Sequence, residues 1–494
     1  MLPYLTLITI IPGDATPIYL QIADQLIALI RQGRITTGAF LPGTRELAGT
    51  LQVHRNTVIK AYDELIAQGW LQSLPRKGFQ VVPELPLTKP RSFQPKNNYA
   101  HDPLTPDTRF QEAMKTTIPT HRQYNDQSVI VNDGFPDVRM APFSYFMKVY
   151  YKLLADPGLN LLEQQPDLGG LESLKHNAAQ FLNQTRGLNI TADHLLIARG
   201  AQMAIYIAAA LLLQPGDAVI TTDPNYFMAD EMFRKRGASI HRVPVDNNGM
   251  DVDQLEQLLT TATFKLLYVI PHHHHPTTVT MSAARRQKLL ALIKQYQLWV
   301  IEDDYDYDFH YQHSPILPLA STGHEGRIVY IGSFTKLLAP SLRIGYLVAG
   351  KEFIKQAVIY KKLVDLRGDT LMEAALSDMI HDGELARHIK RTQKIYAARL
   401  DLAIHLVQEL LSDAVSCTRP QGGMALWLSF KKEYPLEQIF RYTAAHGVYL
   451  QGSAYHSGNN SHHNGFRFGF ASLNEQELRK ALLTIKQAIT QYSR

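Results

Sequence analysis

The stretch GSFTKLLAPSLRIGY (332–346) holds one lysine, Lys336, among hydroxyls, apolar residues and a single arginine. A lysine amine freed of its proton by desolvation or a nearby cation condenses with an aldehyde to give an imine. Ser333 and Thr335 precede it, Arg343 follows seven residues on, and Pro340 and Gly345 constrain the backbone. Hydroxyls with an arginine make a phosphate cradle. Pyridoxal phosphate needs an amine for its aldehyde and an anion site for its phosphate, so this is the chemistry the stretch suggests. A lone loop lysine is ordinarily a solvated charge, and the remaining contacts must come from elsewhere in the chain.

The ring nitrogen of that cofactor stays protonated beside a carboxylate. VIEDDYDYDF (300–309) closes a strand-like run and offers Asp303, with Tyr305 two residues on to reach the ring's phenolic oxygen. A calcium-type acidic loop is the rival reading of EDDYDYD, and its place at the end of a buried strand disfavours it. ARGAQMAIY (198–206) sets the N–H groups of Gly200, Ala201 and Gln202 at a helix N-terminus, a natural anion site. TDPNYF (222–227) offers Tyr226 as a plate to stack on the ring. The tetrahistidine His272–His275 has metal-ligand chemistry, but adjacent histidines do not converge easily on one ion, so no metal site is read there.

These groups must be carried by an alternating framework. LLIARG (195–200), AVITTDP (218–224), FKLLYVIP (264–271) and LWVIEDD (298–304) are β-rich runs ending in Gly, Pro or Asp. Between them lie amphipathic or apolar helical stretches, MAIYIAAALLL, FMADEMFRKRG and SAARRQKLLALIKQY. The pattern predicts an α/β fold with a mostly parallel sheet covered on both faces. Ligands in such folds bind at the carboxyl ends of the strands, where the polar outliers above sit.

The chain of 494 residues is too long for one core, and its 45% apolar and 19% charged residues form an ordinary globular mixture. A net charge of +5 is small for this length and leaves room only for a local basic surface. One cysteine, Cys417, excludes an internal disulfide framework and fits a reducing cytosol. The start, MLPYLTLITIIPG, lacks a basic n-region and a small-residue cleavage site, so no signal peptide is read. The longest apolar run, Ala204 to Leu213, is too short to cross a bilayer. A cytoplasmic protein without membrane partners is expected.

Seven of the 26 prolines fall between Pro83 and Pro119, a composition that makes an extended connector. The expected division is therefore a domain over 1–83, a linker over 84–125 and a larger domain over 126–494. In the first, PIYLQIADQLIALIRQG puts Ile18, Ile22, Leu26, Leu29 and Ile30 on one helical face. Thr44 is the expected N-cap of a short helix, RELAGTL, with Glu46 in its positive first turn. RNTVIKAYDELIAQG follows after a short turn, with Val58, Ala61, Tyr62 and Leu65 inward and Gly69 as its stop. Helix, turn and helix with polar residues opening the second match a recognition helix for the major groove of DNA. Arg55, Asn56 and Thr57 would meet bases or phosphates, with Arg45 and Lys60 beside them. WLQSLPRKGFQVV reads as a two-stranded wing tipped by Arg76 and Lys77.

The run LPGTRELAGTLQVHRNTVIKAYDELIAQGW resembles the winged helix-turn-helix of GntR-type bacterial regulators almost position for position. Gly43 and His54 stand where that pattern has serines, the latter at the N-cap of the recognition helix. Residues 130–494 resemble fold type I aminotransferases in the arrangement of the MocR regulators, with SFTKLLAPSLRIGY the most specific piece. The resemblance implies that Lys336 carries the cofactor as an aldimine, that Arg343 and Ser333 hold its phosphate, and that Asp303 pairs its ring nitrogen. It further implies that Tyr305 and Tyr226 contact the ring, that Arg467 in FRFGFA grips an effector carboxylate, and that QGGMALW (421–427) lines the effector side. His275-Pro276-Thr277-Thr278 replaces the enzymes' Asn-Pro-Thr-Gly, leaving His275 to substitute for the asparagine. Ala201 replaces a frequent phosphate-binding serine, and Gln165 a tyrosine that reaches across from a neighbouring subunit.

The implied protein is a pyridoxal phosphate-binding transcription regulator that senses a small amino compound, or the cofactor itself, and binds double-stranded operator DNA as a head-to-tail homodimer. The rival reading is a pyridoxal phosphate-dependent aminotransferase with an appended DNA-binding domain, for which the recognition helix would be superfluous. A cofactor-free scaffold is a third, against which the lysine, aspartate and arginine set argues.

Overall fold

Apolar periodicity in the first 86 residues produces a helical core flanked by a small sheet. The computed structural model describes residues 4–86, 128–155, 168–311, 316–451 and 463–492. It divides into two compact units, Met1–Lys115 and Thr116–Arg494. In the first, α1 (Ile18–Arg31) buries Ile22, Leu26, Leu29 and Ile30 together with Ala23 and Ile27, while Ile18 is only partly covered. The helices α2 (Thr44–Leu51) and α3 (Arg55–Ala67) pack on it, α3 through Val58, Ala61, Tyr62 and Leu65. The strands β1 (Phe40–Leu41), β2 (Leu71–Leu74) and β3 (Gly78–Val81) form an antiparallel sheet in the order β1-β3-β2. Tyr62 fastens helix to wing: its hydroxyl donates to the Pro42 carbonyl at 2.9 Å and its ring meets Phe79 edge-on.

Two capping expectations part ways. Thr44 is not the N-cap of α2: it is the first helical residue, and Gly43 takes the extended cap position. Its hydroxyl instead accepts a long 3.4 Å bond from Arg55 Nε across the turn. His54 does cap α3, accepting from the Asn56 N–H at 3.2 Å, and Gly69 ends it at φ +77°.

In the second unit β4 (Val129–Val131) pairs in parallel with β15 (Val448–Leu450). The main sheet contains β5 (Leu195–Ala198), β6 (Ala218–Asp223), β7 (Ser239–Asp246), β8 (Gly249–Met250), β9 (Leu266–Val269), β10 (Trp299–Asp303), β11 (Ile328–Ser333) and β12 (Gly345–Val348). Its spatial order is β5-β12-β11-β10-β9-β6-β7-β8. Strands β6, β7, β9, β10 and β11 pair in parallel, whereas β12 runs antiparallel to both of its neighbours and β8 to β7. Alternation along β10 shows both faces covered: Ile301 packs with Ala204, Ile205 and Ala208 of α4 (Ala201–Leu212), Val300 with Leu289 and Leu292. A three-stranded antiparallel sheet, β13 (Val415–Ser416), β14 (Ala425–Phe430) and β16 (Gly465–Gly469), stands beside the Glu384–Leu411, Leu436–Ala445 and Glu475–Tyr492 helices. No helix among the described residues is long and apolar enough to cross a membrane.

Candidate functional site

Strand ends of the second unit bring the predicted chemistry together around one cavity of about 190 Å³. It is lined by Ser333 at the end of β11 with Thr335, Lys336 and Arg343 after it, Asp303 at the end of β10 with Tyr305 after it, Tyr226 after β6, and Ala201 and Gln202 at the start of α4. His275 also lines it, as do Asp133, Phe135, Ile205 and Ile270. The parallel strands end at the same edge, so residues far apart in sequence converge there.

Lys336 points its amine into this space. Nζ donates to the Gly134 carbonyl at 2.8 Å and lies 3.5 Å from the centre of the Phe135 ring. Burial pushes its pKa down to about 8, against the pull of Asp133 and with help from the Arg467 charge. The neutral, nucleophilic amine is therefore accessible near physiological pH.

Asp303 sits across the cavity, 3% exposed. Tyr268 donates its hydroxyl to Oδ2 at 2.6 Å, whereas the buried Oδ1 has no hydrogen-bond partner. Burial dominates and pushes the Asp303 pKa up to about 7, with Asp304 and Asp306 adding to it and Tyr268 opposing. A buried carboxylate oxygen left without a donor is costly, and a ligand N–H would relieve it.

The anion end is built by close approach. A Cβ on Gly200 would lie 2.7 Å from Arg343 Nη2, and one on Gly345 would lie 2.6 Å from the Gly200 carbonyl carbon. Only glycines let these strands bring the guanidinium against the first turn of α4. The Gly200 N–H is engaged by the Ala198 carbonyl at 2.8 Å, so the helix start offers the N–H groups from Ala201 onward. Gln202 is a positioning group, its Oε1 accepting from the Tyr226 hydroxyl at 2.8 Å. Ser333 Oγ accepts from the Thr335 N–H at 3.2 Å.

The four histidines take four different partners. His272 faces Asp304 at 3.2 Å, His273 faces Asp306 at 2.9 Å, and His274 faces Thr222 at 2.9 Å. His275 Nε2 lies 3.2 Å from each Asp133 oxygen, and its ring stands edge-on to Tyr226. Burial lowers the pKa of His272, His274 and His275. Gly422 and Gly423 of QGGMALW are close to His273, where a Cβ would meet its side chain at 2.3 and 3.2 Å; neither is among the cavity-lining residues.

Arg467 lies behind the cavity wall, with no exposed surface. Its Nε donates to the Asp133 carbonyl at 3.0 Å and its Nη2 to the Tyr305 hydroxyl at 2.8 Å. Tyr305 in turn donates to the His273 carbonyl at 2.9 Å. In the first unit Arg45, Arg55, Asn56, Lys60, Arg76 and Lys77 are exposed and Thr57 half-buried, on α2, α3 and the β2–β3 turn. Gln165 and the connector beyond residue 86 lie outside the described residues.

Residues 160–485 match the family of class I and II aminotransferases. The chain belongs to that family. Residues 18–81 match the gntR family of bacterial regulatory proteins. A probable rhizopine catabolism regulatory protein, MocR, from Rhizobium meliloti is 27% identical over 475 residues, spanning 96% of this chain and 94% of its own. Aromatic-amino-acid aminotransferase 1 of Thermococcus litoralis is 28% identical but spans only 65% of this chain and 78% of its own. The crystal structure of Pyrococcus horikoshii kynurenine aminotransferase in complex with PMP superposes with a TM-score of 0.69 at 25% identity, covering 75% of this chain and 92% of that one.

The likeness to MocR runs through the helix-turn-helix, so this is a DNA-binding regulator of GntR type with an aminotransferase-like domain. Pyridoxal phosphate is the cofactor of this aminotransferase class. The residues present fit it: the unsatisfied Asp303 Oδ1 is an acceptor for a ring N–H, and Arg343 with the α4 start is a place for the phosphate. Sequence reasoning missed Asp133 and Phe135, which flank Gly134, a residue held at φ +86°.

Proposed function

We propose that this protein regulates transcription in the cytoplasm in response to a small amino compound, or to pyridoxal phosphate itself, received in the Lys336 cavity. The observation that carries the reading is the opposition of a neutralisable amine, Lys336, to an unsatisfied buried carboxylate oxygen, Asp303 Oδ1, in one cavity. Bound there, pyridoxal phosphate supplies an aldehyde that exchanges between amines. Lys336 provides the resident amine, Asp303 holds the ring nitrogen's proton, and Arg343, Ser333 and the N–H groups at Ala201 and Gln202 hold the phosphate. Tyr226, Tyr305 and His275 enclose the ring. Arg45, Arg55, Asn56, Thr57, Lys60, Arg76 and Lys77 face an operator. The molecule works as a head-to-tail homodimer, with residues 1–83, 84–125 and 126–494 as DNA-binding domain, linker and sensor.

Borohydride reduction of the loaded protein should fix one cofactor on the peptide containing Lys336, as read by mass spectrometry. An amino compound that shifts the cofactor's absorbance should also change retention of promoter DNA. A label on another lysine would overturn the assignment of Lys336. DNA retention indifferent to every amino compound and to added cofactor would overturn the sensing role.

A further inference from the structure

Asp133 stands among three basic side chains at the cavity wall, of which Arg467 carries a fixed charge and His275 is held towards its neutral form by burial. Arg467 Nε lies 3.5 Å from its Oδ1, His275 Nε2 3.2 Å from both oxygens, and Lys336 bonds the carbonyl of the next residue. The loop is fixed: Asn132 Oδ1 accepts from the Gly134 and Phe135 N–H groups, each at 3.0 Å. A Cβ on Gly134 would press on Arg467 Nη2 at 3.2 Å, so loop and guanidinium are packed as one piece. Of the two charges, the Asp133 carboxylate lines the cavity and is 24% exposed, while Arg467 is fully covered behind it.

We propose that Asp133 sets the class of effector: amines that lack an α-carboxylate and carry a second cationic group, which the Asp133 carboxylate receives. The proposal rests on the reading that the cavity receives amino compounds. A carboxylate in the cavity would face the Asp133 carboxylate rather than the covered Arg467 guanidinium, and like charges brought together in a desolvated cleft repel. It would also have to displace the Asp133 carbonyl, the Tyr305 hydroxyl and the Pro276 carbonyl, which already engage Arg467. An ammonium or guanidinium instead meets a carboxylate already held in place, so little ordering is lost on binding. The arrangement selects by repulsion as well as attraction.

The test compares 1,5-diaminopentane with lysine, which share a skeleton and differ by one carboxylate. Full-length protein loaded with pyridoxal phosphate is titrated with each, reading the cofactor's absorbance and DNA retention. The parent should respond to the diamine at a concentration at least about tenfold lower. Asp133→Asn should bring the ratio close to one, or reverse it. A parent that prefers lysine, or an Asp133→Asn protein that keeps the parent's ratio, overturns the proposal alone. A parent unmoved by any amine or amino acid overturns it together with the amino-compound reading. Should Asp133→Asn fail to fold, the parent's preference between 4-aminobutylguanidine and arginine decides, and preference for arginine overturns the proposal.

Discussion

Gly200 and Arg343 touch so closely that a Cβ on the glycine would lie 2.7 Å from the guanidinium's Nη2. Gly200 also holds φ +79° and ψ 170°, a region that side chains rarely enter. Gly200→Ala should cost about 1–3 kcal/mol in the fold and push Arg343 away from the α4 start. Cofactor titration of the variant should show affinity weakened about tenfold or more, with the loss borne by the phosphate: pyridoxal, without a phosphate, should bind parent and variant alike. A variant that binds pyridoxal phosphate as the parent does would remove Arg343 from the phosphate site.

Lys336 makes a pH prediction with a definite sign. Its pKa is lowered to about 8 from the ordinary 10.5, so the reactive neutral amine appears earlier as pH rises. The rate at which cofactor-free protein captures pyridoxal phosphate covalently should climb about tenfold per pH unit below 8 and level off above it. Asp133 is the leading charge holding that pKa up. Asp133→Asn should therefore move the profile to lower pH. A midpoint near 10.5 in stopped-flow absorbance would show the amine to be solvated.

On the DNA side the recognition helix and the wing should separate. Arg55, at the exposed start of α3, is placed to read a base edge, and Arg55→Ala should cost about 1–3 kcal/mol with loss of sequence preference. Lys77, in the β2–β3 turn, is placed at a phosphate, and Lys77→Ala should weaken binding evenly and shallow the salt dependence by about one ion. Gel shifts over a salt series check both. Unchanged sequence preference in Arg55→Ala would take α3 out of the groove.

The elements legible in the sequence were those whose signals are local. Val58, Ala61, Tyr62 and Leu65 repeat at helical spacing, and the β runs over 218–224 and 298–304 end in residues that stop strands, which places Tyr226 and Asp303 at strand ends from sequence alone. No such run is read before Ser333, which the structure sets at the end of β11. Thr44 illustrates a local ambiguity: threonine and glycine both suit an N-cap, and the helix starts one residue early. Asp133 was invisible for a different reason. Its loop meets Lys336 across 202 residues of sequence, and nothing in NDGFPD announces that contact. The same loop separates Arg467 from the cavity, a matter of layering that residue type does not encode.

Asp303 ties function to stability. Its carboxyl is buried, and its pKa is raised to about 7 from 3.8, so the folded protein holds a proton there that the unfolded chain gives up. The sign follows: stability from this group is full below about pH 4, declines between 4 and 7, and is lost above 7. Asp303→Asn keeps an oxygen for the Tyr268 hydroxyl and removes the charge. Cofactor-free Asp303→Asn should therefore match the parent near pH 4 and exceed it by a few kcal/mol at pH 8, as urea unfolding would show. With pyridoxal phosphate present the order should reverse at pH 8, because only the carboxylate can balance a protonated ring nitrogen. If the parent is the more stable protein at pH 8 without cofactor, Asp303 is satisfied by the fold itself and is not held in reserve for a ligand.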